Sequence, residues 1–260
     1  MQGDVVGNSL KISSYIHQAM EAAKPTLIDY TYPLCIANQN NCPEIIGSAF
    51  FLKVDEKKYL VTAAHVIEDF FKEKSLCHVG LKSIVPLEKE FICSSKDGYD
   101  DLDIAFCSVD DGFLLKYKVN VITTEQAYAS NKSMSPYMYL AHGYPCVKNN
   151  YRKFAKKKTK TLKINSFTYS GKEVAEKMYR IHKMKRDIHI GLEYKKSRDA
   201  KGNIQRPHAP QGVSGGGCWA MPSMFSPAKV FLAGMFINDK KSAIYSVKID
   251  SIIDFIRKNA

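Results

Sequence analysis

Residues 210–219 read "PQGVSGGGCW". Four of the chain's 15 glycines fall between positions 212 and 217, around the hydroxyl of Ser214, and the only tryptophan follows as Trp219. Glycine loses more backbone freedom on folding than any other residue, so such a cluster needs a cause. A flexible linker, a tight structural turn, or a backbone that aims its N–H groups at something beside Ser214 would each supply one. The choice depends on what the rest of the chain can bring to that hydroxyl.

Two other stretches bear on it. "YLVTAAHVI" (59–67) sets His65 at the end of an apolar strand pattern, behind two alanines. "DLDIAFCSV" (101–109) sets Asp103 at the head of another. Taken singly, each has a plain reading: a packed histidine, a turn aspartate with Asp100 and Asp101 before it, a glycine turn. Taken in order they give His…Asp…Ser, separated by 38 and then 111 residues. A serine hydroxyl is a weak nucleophile that needs a base in hydrogen-bond reach, and the base needs an acid to orient it. The chain order also separates this arrangement from subtilisin-like and α/β-hydrolase enzymes.

The surroundings read as β-structure. "GSAFFLKV" (47–54), the polar "DEKK" and "YLVTAAHVI" form a hairpin pattern. Further strand-like runs are "TLIDYTYPLCIA" (26–37), "CHVGLKSI" (77–84), "EFICSS" (90–95), "MYLAHGYP" (138–145), "KTLKINSFTY" (160–169), "IHIGLEY" (188–194), "GCWAM" (217–221), "KVFLAGMFI" (229–237) and "SAIYSVKI" (242–249). Their number and short spacing predict an all-β barrel or sandwich. Residues 9–22, with Ser9 as N-cap and Pro25 as stop, predict a short N-terminal helix. "KIDSIIDFIRKNA" (248–260) predicts a closing amphipathic helix with Ile252, Ile253 and Ile256 on its apolar side.

These stretches, with "HGYP" (142–145), resemble the trypsin/chymotrypsin-like serine peptidases, in particular the bacterial, HtrA-like members without a zymogen switch. The resemblance spans residues 45–256. It implies two packed six-stranded antiparallel β-barrels: the first over 27–125 carrying His65 and Asp103, the second over 126–260 carrying Ser214. An N-terminal helical extension (1–26) would precede them, and a basic insertion (147–206) would interrupt the second. It also implies roles: Ser214 as nucleophile, His65 as base, Asp103 as its orienting acid, and the N–H groups of Gly212 and Ser214 as the oxyanion hole. His208, Gly234, Phe236 and Asn238 fall at positions expected to line the substrate pocket. Secreted members carry an aspartate just before the serine; here Val213 stands there, so the salt bridge that switches on a zymogen is missing.

Composition narrows the setting. The chain has 260 residues, of which 45% are hydrophobic and 25% charged, an ordinary balance for a globular protein. It holds no apolar run long enough for a membrane helix, and its start lacks a signal peptide's basic, apolar and small-residue zones. Seven scattered cysteines (Cys35, Cys42, Cys77, Cys93, Cys107, Cys146, Cys218) include no C-x-x-C pair, which predicts free thiols in a reducing compartment. A cytoplasmic protein with no cofactor and no metal is the expectation. Net charge is +12, yet residues 147–206 alone carry 19 Lys and Arg against 5 Asp and Glu, which leaves the remainder of the chain slightly acidic. That segment reads as a solvated hairpin or as a contact for an acidic protein or nucleic acid, since aromatics interleave its lysines. The expected function is a cytoplasmic serine endopeptidase whose activation can depend on a partner. The alternative is a catalytically silent binding module on the same fold.

Overall fold

The computed structural model describes residues 2–37, 43–72, 77–80, 84–94, 101–127, 136–149, 164–194, 197–198, 204–205, 211–223, 229–240 and 242–260. Among these residues fifteen strands follow in chain order: β1 (Tyr32–Ala37), β2 (Pro43–Val54), β3 (Lys57–Ala63), β4 (Cys77–Gly80), β5 (Ile84–Leu87), β6 (Ile92–Cys93), β7 (Ile104–Ser108), β8 (Met138–Gly143), β9 (Phe167–Gly171), β10 (His189–Glu193), β11 (Ser197–Arg198), β12 (Ile204–Gln205), β13 (Gly217–Met221), β14 (Phe231–Lys240) and β15 (Ala243–Lys248). Helices are α1 (Gln2–Tyr30), α2 (Ala64–Lys72), α3 (Asp111–Tyr117), α4 (Glu176–Ile181) and α5 (Ile249–Asn259).

The hairpin over β2 and β3 forms, with a two-residue loop rather than the four residues its pattern suggests: Val54 pairs with Lys57, and Asp55 takes φ +53. Strand β2 is buried along nearly its whole length, from Ala49 to Leu52 on both faces. It therefore reads as a continuous apolar run rather than an alternating one. Around it grows a seven-stranded sheet in the order β5-β4-β1-β2-β3-β7-β6. A second sheet of six strands has the order β10-β15-β14-β13-β8-β9, and β11-β12 make a separate ribbon. All pairings inside both large sheets are antiparallel.

The expected two antiparallel β units are present, but in place of two six-stranded barrels stand an open seven-stranded and an open six-stranded sheet: among the described residues neither joins its two edge strands. Closure and strand number depend on pairings between distant segments, which local periodicity does not encode. One apolar core nevertheless joins the two sheets, running from Phe50, Leu60 and Phe106 through Leu140, Trp219 and Met235 to Ile252 and Ile256. The closing helix lies where its pattern puts it, with Ile252 and Ile256 fully buried, and Arg257 forks onto the Asp55 carboxylate of the β2–β3 loop.

The N-terminal helix is also corrected. It runs through Pro25 to Tyr30, so the strand expected from residue 26 starts only at Tyr32. A proline inside a helix costs about 3 kcal/mol. Ala19, Ala23 and Leu27, spaced i, i+4, i+8, are all buried against the shared core, and that burial offsets the break. Leu27→Ala is expected to lower the unfolding free energy by about 2–5 kcal/mol, measured by urea melts, since the helix is part of the core.

Candidate active site

The register between β3 and β7 decides where the first two candidates emerge. Ala63 pairs with Ile104, so Ala64 and Asp103 leave the two strands side by side, and the Ala64 N–H donates to the Asp103 carbonyl at 3.1 Å. Asp103 turns there with φ +49, a left-handed conformation that aspartate tolerates better than most residues. The turn sends its carboxylate back toward β3, and α2 begins on the other side with His65 as its second residue. The two meet twice: Asp103 Oδ1 accepts the His65 backbone N–H at 3.0 Å, and Oδ2 lies 2.7 Å from His65 Nδ1. A carboxylate only accepts, so Nδ1 carries the hydrogen and Nε2 is left as the basic nitrogen. The acid side chain is 12% exposed and the imidazole 38%, so the acid is nearly dry while the ring keeps an open edge.

Ser214, in the turn that leads into β13 of the other sheet, is tied to β2 by its backbone. Its carbonyl accepts the Ser48 N–H of β2 at 2.8 Å. The neighbouring residue Gly47 sits between the two parts: a Cβ there would lie 2.5 Å from Val66 Cγ1, next to His65, and 3.3 Å from the Ser214 carbonyl oxygen. The residue after His65 and the carbonyl of Ser214 therefore both crowd the one face of Gly47 where a side chain would project. Ser214 itself occupies the second position of a tight turn in which the Gly216 N–H donates to the Val213 carbonyl at 2.8 Å. Gly215 takes the third position with φ +84, which this kind of turn demands and glycine supplies.

The same bonds orient the two expected oxyanion donors. A trans peptide points its N–H opposite to its C=O. In the peptide ahead of Gly212 the Gln211 carbonyl is held by the Cys146 N–H at 2.9 Å, and in the peptide ahead of Ser214 the Val213 carbonyl is held by Gly216. The N–H groups of Gly212 (φ +90) and Ser214 are thereby turned away from those anchors, and among the described residues neither donates to a backbone carbonyl. Ser48 completes the fixation. Fully buried, it donates from Oγ to the Gly212 carbonyl at 2.8 Å and accepts the Tyr144 N–H at 2.9 Å. Sequence reasoning passed over Ser48; the signal was a hydroxyl inside the apolar run "GSAFFL", where a buried polar group requires partners.

No family model matches the chain, and no curated protein does. Its likeness is to solved structures. One of them, described by the words "Aromatic interactions drive the coupled folding and binding of the intrinsically disordered Sesbania mosaic virus VPg protein", is 14% identical, with a TM-score of 0.51 over 89% of this chain and 92% of that one. At that identity the likeness is one of fold.

The remaining expected site residues fall unevenly. His208 lies outside the described residues, as does much of the basic segment. Gly234 and Phe236 are buried in β14; Phe236 ties its backbone N–H to the Gly216 carbonyl and its carbonyl to the Gly215 N–H, both at 2.8 Å, while Asn238 is exposed further along. The strand thus braces the Ser214 turn through Phe236 and offers surface through Asn238. Of the described cysteines, Cys107, Cys146 and Cys218 are free thiols. Burial pushes the Cys107 and Cys218 thiols up to about 12 and Cys146 upward as well, so none of these three supplies a thiolate at neutral pH. No described helix is long and apolar enough to cross a membrane.

His142 of the "HGYP" stretch is a structural group with a pH signature. It is wholly buried, with Nδ1 2.8 Å from Thr168 Oγ1 and no described partner for Nε2. Burial, aided by the Lys24 charge, holds it down at about 3 from an ordinary 6.5. The folded ring stays neutral while the unfolded chain takes up a proton below about 6.5, so stability is lost as pH falls through that window. Urea melts at pH 7 and pH 5 are expected to show a drop that is smaller by about 2 kcal/mol in His142→Gln than in the native chain.

Proposed function

We propose that this chain is a serine endopeptidase of the trypsin/chymotrypsin-like kind, cleaving protein substrates through an acyl-enzyme on Ser214. The observation that carries the reading is the double hydrogen bond between His65 and Asp103, set against the glycine turn that bears Ser214. With Nδ1–H given to Asp103, His65 Nε2 takes the Ser214 hydroxyl proton as Oγ attacks a peptide carbonyl. The C–N bond then breaks as Nε2 returns that proton to the leaving amine, and a water repeats the sequence to release the acid. The carbonyl oxygen becomes an anion on attack, and the N–H groups of Gly212 and Ser214 are its donors; each such donor is worth about 2.7–4 kcal/mol of barrier.

The bonds from Cys146, Gly216 and Ser48 hold the Gly212–Ser214 loop without the salt bridge that Val213 precludes. That supports a loop set by the fold itself, with a partner acting on substrate access rather than on loop order. The test is a fluorophosphonate probe, which phosphonylates an activated serine by displacing fluoride. Labelling that disappears in Ser214→Ala supports the enzyme. A folded chain that stays unlabelled and instead binds RNA, DNA or an acidic protein in a salt-sensitive way would favour the silent binding module, with residues 147–206 as its contact.

A further inference from the structure

Two residues ahead of Asp103 the chain is gripped from the other sheet. His189, the first residue of β10, is 1% exposed, and its Nε2 lies 2.7 Å from the backbone carbonyl oxygen of Asp101. A carbonyl cannot donate, so Nε2 carries the hydrogen. On the other side of the ring Nδ1 lies 3.0 Å from the Lys185 backbone nitrogen and 2.9 Å from the Lys185 carbonyl oxygen, so the Lys185 backbone fixes the ring in place. Lys185 adds a second link from the same turn, an ion pair between its Nζ and the Asp101 carboxylate. Lys185 and His189 thus hold Asp101 by its side chain and its backbone, across 84 and 88 residues of sequence respectively.

What lies downstream of Asp101 makes this consequential. Asp103 holds φ +49, and a non-glycine residue keeps such a conformation only where its surroundings over-determine it. On the β7 side it is fixed by the Ala64 bond to its carbonyl and by Ser94 Oγ, which accepts the Ile104 N–H at 3.0 Å. His189 supplies an anchor on the other side.

We propose that His189 is a positioning residue: by holding the Asp101 carbonyl it keeps residues 101–103 in the turn that aims the Asp103 carboxylate at His65. Orientation of the base then depends on the six-stranded sheet being docked on the seven-stranded one. The catalytic consequence rests on the peptidase reading above; the geometric claim does not.

The test compares two amide substitutions in the full chain. In His189→Gln the side-chain amide reaches as far as Nε2 and can still donate to Asp101. In His189→Asn it reaches only as far as Nδ1 and leaves Asp101 ungripped. The first readout is the low-field proton resonance of the His65 Nδ1–H bound to Asp103, which needs no turnover. It is expected to persist in His189→Gln and to broaden or move upfield in His189→Asn. The second is fluorophosphonate labelling and ester hydrolysis, expected to slow about 10–100-fold in His189→Asn with KM within about twofold, and to stay near the native rate in His189→Gln.

A merely structural histidine would lower Tm in both variants alike and leave the resonance where it is. That result, or equal labelling rates in the two variants, overturns the proposal. If the native chain shows the resonance but neither labels nor hydrolyses, the peptidase reading fails, and the resonance comparison still decides the role of His189.

Discussion

Ser214→Ala is expected to abolish fluorophosphonate labelling and to lower peptide turnover by about 10⁵–10⁶-fold, with Tm unchanged within a degree or two. Members of a nucleophile–base pair act as one unit, so removing either costs about as much as removing both. Replacing Asp103 by asparagine should cost about 10⁴-fold, because an amide can donate to Nδ1 and leave the wrong ring nitrogen protonated. Stopped-flow or single-turnover hydrolysis of an activated ester, alongside thermal melts, measures both. A Ser214→Ala protein that still labels, or that retains more than a hundredth of native turnover, would remove Ser214 from the chemistry.

A large effect on both stability and turnover is expected at Gly215. A Cβ there would stand 2.0 Å from the Ser48 carbonyl oxygen and 2.2 Å from Thr62 Oγ1, and φ is +84. The first of these atoms is backbone in the central strand of the seven-stranded sheet, so it cannot swing aside as a side-chain tip would. Strain at the turn and displacement of β2 together cost Gly215→Ala about 4 kcal/mol. For a chain of this length that lowers Tm by about 10 °C, and the folded remainder should turn over substrate at least about a hundredfold more slowly. Differential scanning calorimetry reads the first effect; a Tm within two degrees of native would show that the turn and β2 are not locked together.

The legible parts of the molecule are those whose signal is local. The apolar runs at "GSAFFLKV", "DIAFCSV" and "GCWAM" became β2, β7 and β13 because each has enough branched and aromatic residues to fill a buried strand. His65 and Asp103 stood out because each bounds such a run with a reactive group, and Ser214 because glycines crowd its hydroxyl. What stayed hidden depends on partners far along the chain. Ser48 looked like one more small residue, and its value lies in a carbonyl 164 positions away. His189 opens a strand pattern and gives no hint of Asp101. Pro25 misled for the opposite reason: the local rule against proline was sound, but the burial of Ala19, Ala23 and Leu27 outweighed it.

The way β2 serves the second sheet limits how this architecture can be recombined. Ser48 spends its N–H, its carbonyl and its hydroxyl on Ser214, Thr62, Gly212 and Tyr144, so most of its polar atoms face the other half of the chain. A chimaera that keeps residues up to the middle of the chain and borrows the rest from a relative would inherit a socket cut for a different plug. The two halves are thus co-dependent parts of one device, and grafting would have to transplant Gly47 and Ser48 together with the turn they support.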